Sequence, residues 1–298
     1  MFPQGDAEHH FFDSSHSKPV PGAKFEIHFG DGSWARGKVV KDDLIIGGIT
    51  VEGQAIEIAD AVHPSFVSGA GDGLLGLAFG NINSVTPVPV KTPVDNMIEQ
   101  KDISADQELF TCKLGSWRDR EDEPDKGESF FTFGFIDQET VKATGEEISY
   151  TKIFPDNGFW QFESTSATVN GKTVNRPGNM AIADTGTTLA LIDDKTAEAI
   201  YKAIPGSRFD ETNQAWVYPA DTQEAQLPVV TLAVGSKQFV VQKEDLGFDG
   251  FKDNDGRPWV YGAIQSRGDS DTDILGDTFL KGIYAVGDFS HPTYKSHV

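Results

Sequence analysis

Cysteine is almost missing from this chain of 298 residues. The one thiol, Cys112, can close no internal disulfide and excludes both a cysteine framework and a cysteine-rich metal site, while leaving the redox compartment open. Basic residues are scarce as well: Lys plus Arg number 25 against 46 Asp plus Glu. The resulting formal charge of -21 repels phosphate backbones and anionic bilayers, so neither nucleic acid nor a membrane is expected as a partner. No apolar run is long enough to span a bilayer. The opening "MFPQGDAEHHFFDSS" lacks a basic start followed by an apolar core, so no secretory signal is read in these residues. Asn-x-Ser/Thr is absent too, which weighs mildly against a glycosylated secreted protein.

What is present is a foldable apolar fraction, 38% hydrophobic residues with 11% aromatic, enough for one large core or two smaller ones. Short alternating segments bounded by Gly, Asp and Asn dominate, among them "KFEIHFGDGSW", "ESFFTFGFID" and "VVTLAVGSKQFVVQ", and they predict strands and hairpins. Helical spacing occurs in "TPVDNMIEQ" and in "DDKTAEAIYKAI", where Ala197, Ile200, Tyr201 and Ile204 share one face behind an acidic start. The acidic run at 115–129 has no apolar periodicity and reads as a solvated loop tip. His9, His10 and His16 fall in a polar segment with no defensible ligand spacing, so no metal site is expected.

Two segments echo one another. "GDGLLGLAF" (71–79) and "TDILGDTFL" (272–280) each carry an acid, two apolar residues and then Gly, which in a mostly β chain suggests two related lobes. Only the second is preceded by "AIADTGTTL". In that stretch Asp184 lies on a Thr-Gly turn, where Gly permits a tight backbone and the hydroxyls fix the acid's orientation. Beside a second carboxylate, such an acid can share one proton, since two adjacent like charges do not readily both ionise. One acid then activates water while the other protonates a peptide carbonyl, with no metal or cofactor.

Four segments in order, "HFGDGSWARGKV", "GDGLLGLAF", "AIADTGTTL" and "YGAIQS...DILGDTFL", resemble the pepsin-family aspartic endopeptidases, in style the fungal secreted members. The resemblance spans nearly all of the chain from about Phe11 to Phe289. It implies a mostly β, bilobal, pepsin-like double β-barrel, with residues 1–145 as an N-terminal lobe and 146–298 as a C-terminal lobe. Asp184 then takes the place of a catalytic acid, with Gly186, Thr187 and Thr188 completing its turn. Ile274, Leu275 and Gly276 match the apolar-apolar-Gly brace of that lobe; Leu74, Leu75 and Gly76 match the brace of the first. Phe29, Gly30 and Asp31 match a flap hairpin that meets the substrate backbone, with Phe29 where the family carries a Tyr. An ordinary hairpin tip is the competing reading of those residues.

The sequence holds a single Asp-Thr-Gly. By resemblance the first such turn is expected a few tens of residues before "FFDSSHSKP", in a segment that would also cover Leu74 and Leu75, so the first lobe is expected to be incomplete. Neither Asp31 nor Asp6 has a good claim to replace the missing acid. The positions of a common second-lobe disulfide, near Pro219 and at Val260, are not cysteine.

The resemblance implies an aspartic-type endopeptidase acting as a monomer on peptides or proteins and secreted, this chain being truncated and inactive alone. Three alternatives stay open: a pseudoprotease that binds extended peptides, a two-chain site with Asp184 from each copy, and recruitment of the fold to other intracellular chemistry.

Overall fold

A computed structural model describes residues 9–116 and 128–289 and the strand Lys295–His297. Most of the acidic run at 115–129 lies outside the described residues. The chain divides into two compact units, the first comprising Met1–Glu108 with Asp156–Gly158, the second Leu109–Pro155 with Phe159–Val298. Among the described residues the strands form five open sheets.

The first unit is built on one antiparallel sheet. Its strands are β1 (Lys18–His28), β2 (Trp34–Ile46), β3 (Ile49–Val62) and β4 (Val85–Thr86), in the order β3-β2-β1-β4. β2 and β3 form a long hairpin that turns at Gly47 and Gly48, both at positive φ, as a two-residue connection requires. Gly37 sits at a bulge where an added Cβ would lie 2.0 Å from the Ile58 carbonyl oxygen, so no other residue fits without backbone movement. Phe25, Val39, Ala59 and Val85 form a small core. Helix α1 (Pro93–Gln100) starts with a reciprocal capping box between Thr92 and Asp95 and buries Val94 and Met97.

The second unit holds a much larger apolar core, including Phe162, Ile192, Leu232, Ile264, Leu275 and Phe279. Through it runs a five-stranded sheet of β5 (Gln161–Glu163), β6 (Met180–Ala183), β7 (Ala190–Ile192), β8 (Ile264–Ser266) and β9 (Thr272–Leu275). The order is β8-β7-β9-β6-β5, so β6 and β7, neighbours in sequence, flank β9. β6 runs parallel to β9 and β7 antiparallel to it. Residues 184–189 must therefore cross the end of β9, and the topology alone carries the Asp-Thr-Gly turn over Gly276.

Helix α2 (Asp194–Lys202) forms where the spacing predicts it. The Asp193 side chain accepts from the Thr196 amide, and Ala197, Ile200 and Tyr201 are buried. The Tyr201 hydroxyl donates to the Ile264 carbonyl and its ring stacks on Trp216, with centroids 5.1 Å apart.

Strand Leu109–Lys113, at the start of the second unit, pairs along its whole length with Tyr284–Asp288. Pairing between segments this distant in sequence leaves no local signal.

Candidate active site

The candidate site is the turn between β6 and β7. Both oxygens of the half-buried Asp184 carboxylate are engaged locally: Oδ1 accepts from the Gly186 amide at 2.9 Å and Oδ2 from the Thr187 hydroxyl at 2.7 Å. The Thr187 amide in turn donates to the Asp184 carbonyl at 3.3 Å. A Cβ at position 186 would stand 3.1 Å from Asp184 Oδ1, so glycine is what lets the backbone amide reach the carboxylate. Two donors on an acceptor-only group hold the carboxylate in one orientation.

Long-range bonds clamp the turn from behind. The Asp184 amide donates to the Leu275 carbonyl at 3.2 Å, and the Asp277 amide to the Thr187 carbonyl at 2.8 Å. The Thr278 amide and hydroxyl both donate to the Thr188 carbonyl at 3.0 Å. A Cβ on Gly276 would lie 2.0 Å from the Thr187 carbonyl oxygen and 2.4 Å from that of Leu189. The structure thus brings Asp184, Gly186, Thr187, Thr188, Ile274, Leu275 and Gly276 together.

The first-unit candidates are arranged differently. Leu74, Leu75 and Gly76 lie in no strand, the leucines 71% and 43% exposed, and a Cβ on Gly76 meets nothing within 4 Å. Phe29 to Ser33 form the tip of the β1–β2 hairpin. The Phe29 amide donates to the Ser33 carbonyl at 2.9 Å and the Gly32 amide to the Phe29 carbonyl at 3.0 Å. Gly30 and Asp31 are exposed, while the Phe29 ring packs edge-on against Phe66 at 5.5 Å. Asp31 Oδ1 accepts from the hydroxyl of Ser33 at 2.6 Å and its amide at 2.8 Å, and these bonds hold the carboxyl below its ordinary pKa.

Sequence reasoning passed over Asp277, although it directly follows Gly276 in "DILGDTFL". Burial pushes its carboxyl up to about 6; the Lys281 ammonium opposes the rise and the charge of Asp184 adds to it. Below about pH 6 this side chain holds a proton. Thr278, which ties the far side of the turn, was missed as well. Among the described residues no cluster of three or more His, Cys, Asp or Glu is arranged to hold a metal ion.

A family model described as eukaryotic aspartyl protease matches residues 4–295. Aspergillopepsin-1 of Aspergillus flavus is 35% identical over 280 residues, covering 94% of this chain and 64% of the relative. "Aspartic protease pepA" of Arthroderma gypseum is 36% identical over 307 residues, covering 97% of this chain and 70% of the relative. The crystal structure of an aspartic proteinase from Irpex lacteus superposes with a TM-score of 0.77 at 21% identity, covering 98% of this chain and 85% of that one. That likeness shows the mostly β pepsin-like fold, here in open sheets. The chain therefore spans about two thirds of the length of these curated fungal relatives, and it belongs to the pepsin family of eukaryotic aspartyl proteases.

Proposed function

We propose that the Asp184 turn is one half of an aspartic endopeptidase site that hydrolyses peptide bonds through a water held between two carboxylates. The observation that carries this reading is the double anchoring of the Asp184 carboxylate by Gly186 and Thr187 on a turn clamped over Gly276. Such an acid is oriented before any substrate arrives, and orientation is what a shared-proton pair needs. In this reading Asp184 exchanges a proton with the water and a second carboxylate exchanges one with the substrate carbonyl. Gly186, Thr187 and Thr188 frame the reacting peptide, and Phe29, Gly30 and Asp31 contact the backbone of an extended substrate. Leu74, Leu75 and Gly76 would brace the matching turn of an N-terminal lobe. The second acid comes from outside these 298 residues, because the sequence holds one Asp-Thr-Gly. By itself the chain is then inactive. The whole protein is a secreted monomer whose substrates are peptides and proteins.

A second reading, a pseudoprotease that binds extended peptides, draws on that single Asp-Thr-Gly and on Phe29, which offers a ring without a hydroxyl. One experiment separates the two. Cleavage of a denatured protein at acid pH is compared for this chain, its Asp184→Asn variant, and a fusion to the upstream Asp-Thr-Gly segment of a fungal relative. The endopeptidase reading expects Asp184-dependent cleavage by the fusion alone. A folded fusion that binds peptides without cutting them moves the pseudoprotease reading ahead. Acid cleavage by the unfused chain that is lost in Asp184→Asn refutes the two-segment dyad.

A further inference from the structure

At the end of the five-stranded sheet remote from Asp184, polar side chains take the place of the apolar core. Asp273 is fully buried at the start of β9, and Arg176, Asn179 and Ser164 around it are buried as well. Asp273 Oδ2 accepts from Arg176 Nη1 and from Asn179 Nδ2, the latter at 2.9 Å, and Oδ1 accepts from Arg267 Nη1. Arg267 Nη1 also donates to Asn179 Oδ1 at 2.7 Å. Arg176 donates through Nη2 to the Ser164 hydroxyl at 2.6 Å and through Nη1 to Asp193 Oδ2 at 3.4 Å. The Ser164 amide donates to the Asn179 carbonyl at 2.9 Å, and the Arg267 amide to the Ile192 carbonyl at 2.9 Å.

These bonds reach every strand of the sheet. Ser164 follows β5, Asn179 precedes β6, Asp193 follows β7, Arg267 follows β8, and Asp273 belongs to β9. The candidate site occupies the opposite ends of the same strands: Asp184 follows β6, Gly276 follows β9, and the turn leads into β7. Ala181, the register partner of Asp273, stands three residues before Asp184, about 10 Å along an extended chain.

The apolar residues of β6 and β9 do not by themselves fix how the two strands align. Ala181, Ile182 and Leu275 are buried, with Ala183 and Ile274 half-buried. Both faces of the pair are therefore apolar, and sliding one strand past the other changes little of what is covered. Asn179 lies two residues before Ala181, and its bond to Asp273 forms in one alignment only. Stability alone does not account for the cluster, since replacing a buried ion pair by apolar residues of similar volume is often neutral; specifying register is the best-attested use of such a pair.

We propose that Asp273, held by Arg176, Asn179 and Arg267, is a positioning residue for Asp184: the cluster sets the alignment of the five strands at one end of the sheet and thereby the seating of the Asp184 turn on Gly276 at the other. A slide of β9 against β6 moves Gly276 past the turn by the same distance. It disturbs the bonds from the Asp184 amide to the Leu275 carbonyl and from the Asp277 amide to the Thr187 carbonyl. What the cluster does for peptide hydrolysis rests on the endopeptidase reading, where a misplacement of about 1 Å costs on the order of a hundredfold in rate. What it does for the turn does not rest on that reading.

The test measures amide exchange and the Gly186 amide proton shift in the ¹⁵N-labelled chain and in Asp273→Asn, Arg267→Gln and Val230→Ala. The last removes core volume on a strand outside the five-stranded sheet and serves as the control. Each variant's loss of global stability, taken from its urea midpoint, is subtracted before exchange rates are compared. In Asp273→Asn the Asp184 and Asp277 amides should exchange about tenfold faster than that loss accounts for. The Gly186 amide proton should move upfield as its bond to Asp184 Oδ1 weakens. Arg267→Gln, at a partly exposed side chain, should show the same changes at reduced size, and it carries the comparison if Asp273→Asn does not fold. Val230→Ala should show neither change. Rates and shifts in every folded cluster variant that match those of Val230→Ala would overturn the proposal. Cleavage is not measured, so the outcome stands apart from that of the endopeptidase reading.

Discussion

Residues 71–79 and 272–280 share an acid, two apolar residues and a glycine, yet end in opposite physical states. Leu275 is 0% exposed and Gly276 is pressed against two carbonyls, whereas Leu74 is 71% exposed and Gly76 faces open space. The difference lies in the neighbours. β9 has a strand on each side, β6 and β7, which supply its backbone partners and bury its side chains. Residues 74–76 lie in no strand among the described residues. An apolar-apolar-Gly triplet is therefore a brace only where a turn and two strands close upon it; the residues permit that role and their partners create it.

The comparison is sharpest at the leucines. Leu275→Ala should lower stability by about 2–5 kcal/mol, the range for emptying a packed site, while Leu74→Ala in this chain should change it by less than about 0.5 kcal/mol. Urea midpoints of both variants measure the contrast, and equal losses would break it. The glycines come next. Gly276→Ala forces a methyl into the Thr187 and Leu189 carbonyls and should cost about 3 kcal/mol, at the upper end for overpacking, against nearly nothing for Gly76→Ala. Amide exchange should also speed up at Thr187 and Asp277 in the first variant and at neither in the second.

A smaller effect concerns pH, where only the second echo carries an acid directly after its glycine, the half-buried Asp277. Asp277 is raised from 3.8 to about 6, so folding takes up a proton between those values. Its contribution to stability is fully present below the unfolded value and is lost as pH rises through about 6. Asp277→Asn should flatten the fall in urea midpoint over that window, and an unchanged slope would remove Asp277 as its source. Asp31 has the opposite sign: its lowered carboxyl contributes stability that is lost as pH falls. The least effect is expected at Cys112, where burial pushes the thiol up to about 12. A thiol reagent should leave it unmodified in the folded chain and label it fully in denaturant, and rapid labelling without denaturant would show that this part of the second unit opens readily.

The sequence by itself determined the features whose causes are local. Alternation and Gly turns marked the β2–β3 hairpin and the strands at Val230–Val234 and Lys237–Val241. The acidic start and apolar spacing marked α2. Within "ADTGT", the Gly186 and Thr187 bonds to Asp184 span two or three residues, so the anchored carboxylate was legible from the motif. Tertiary structure alone decided what those residues meet. Thr188 and Thr278 are joined across 90 residues, and Asn179 and Asp273 across 94. No short-range pattern specifies such pairings, because strand order and the exclusion of water from the sheet fix them. The raised carboxyl of Asp277 follows from the same cause: burial depends on every element packed around a group, and only the folded chain brings those elements together.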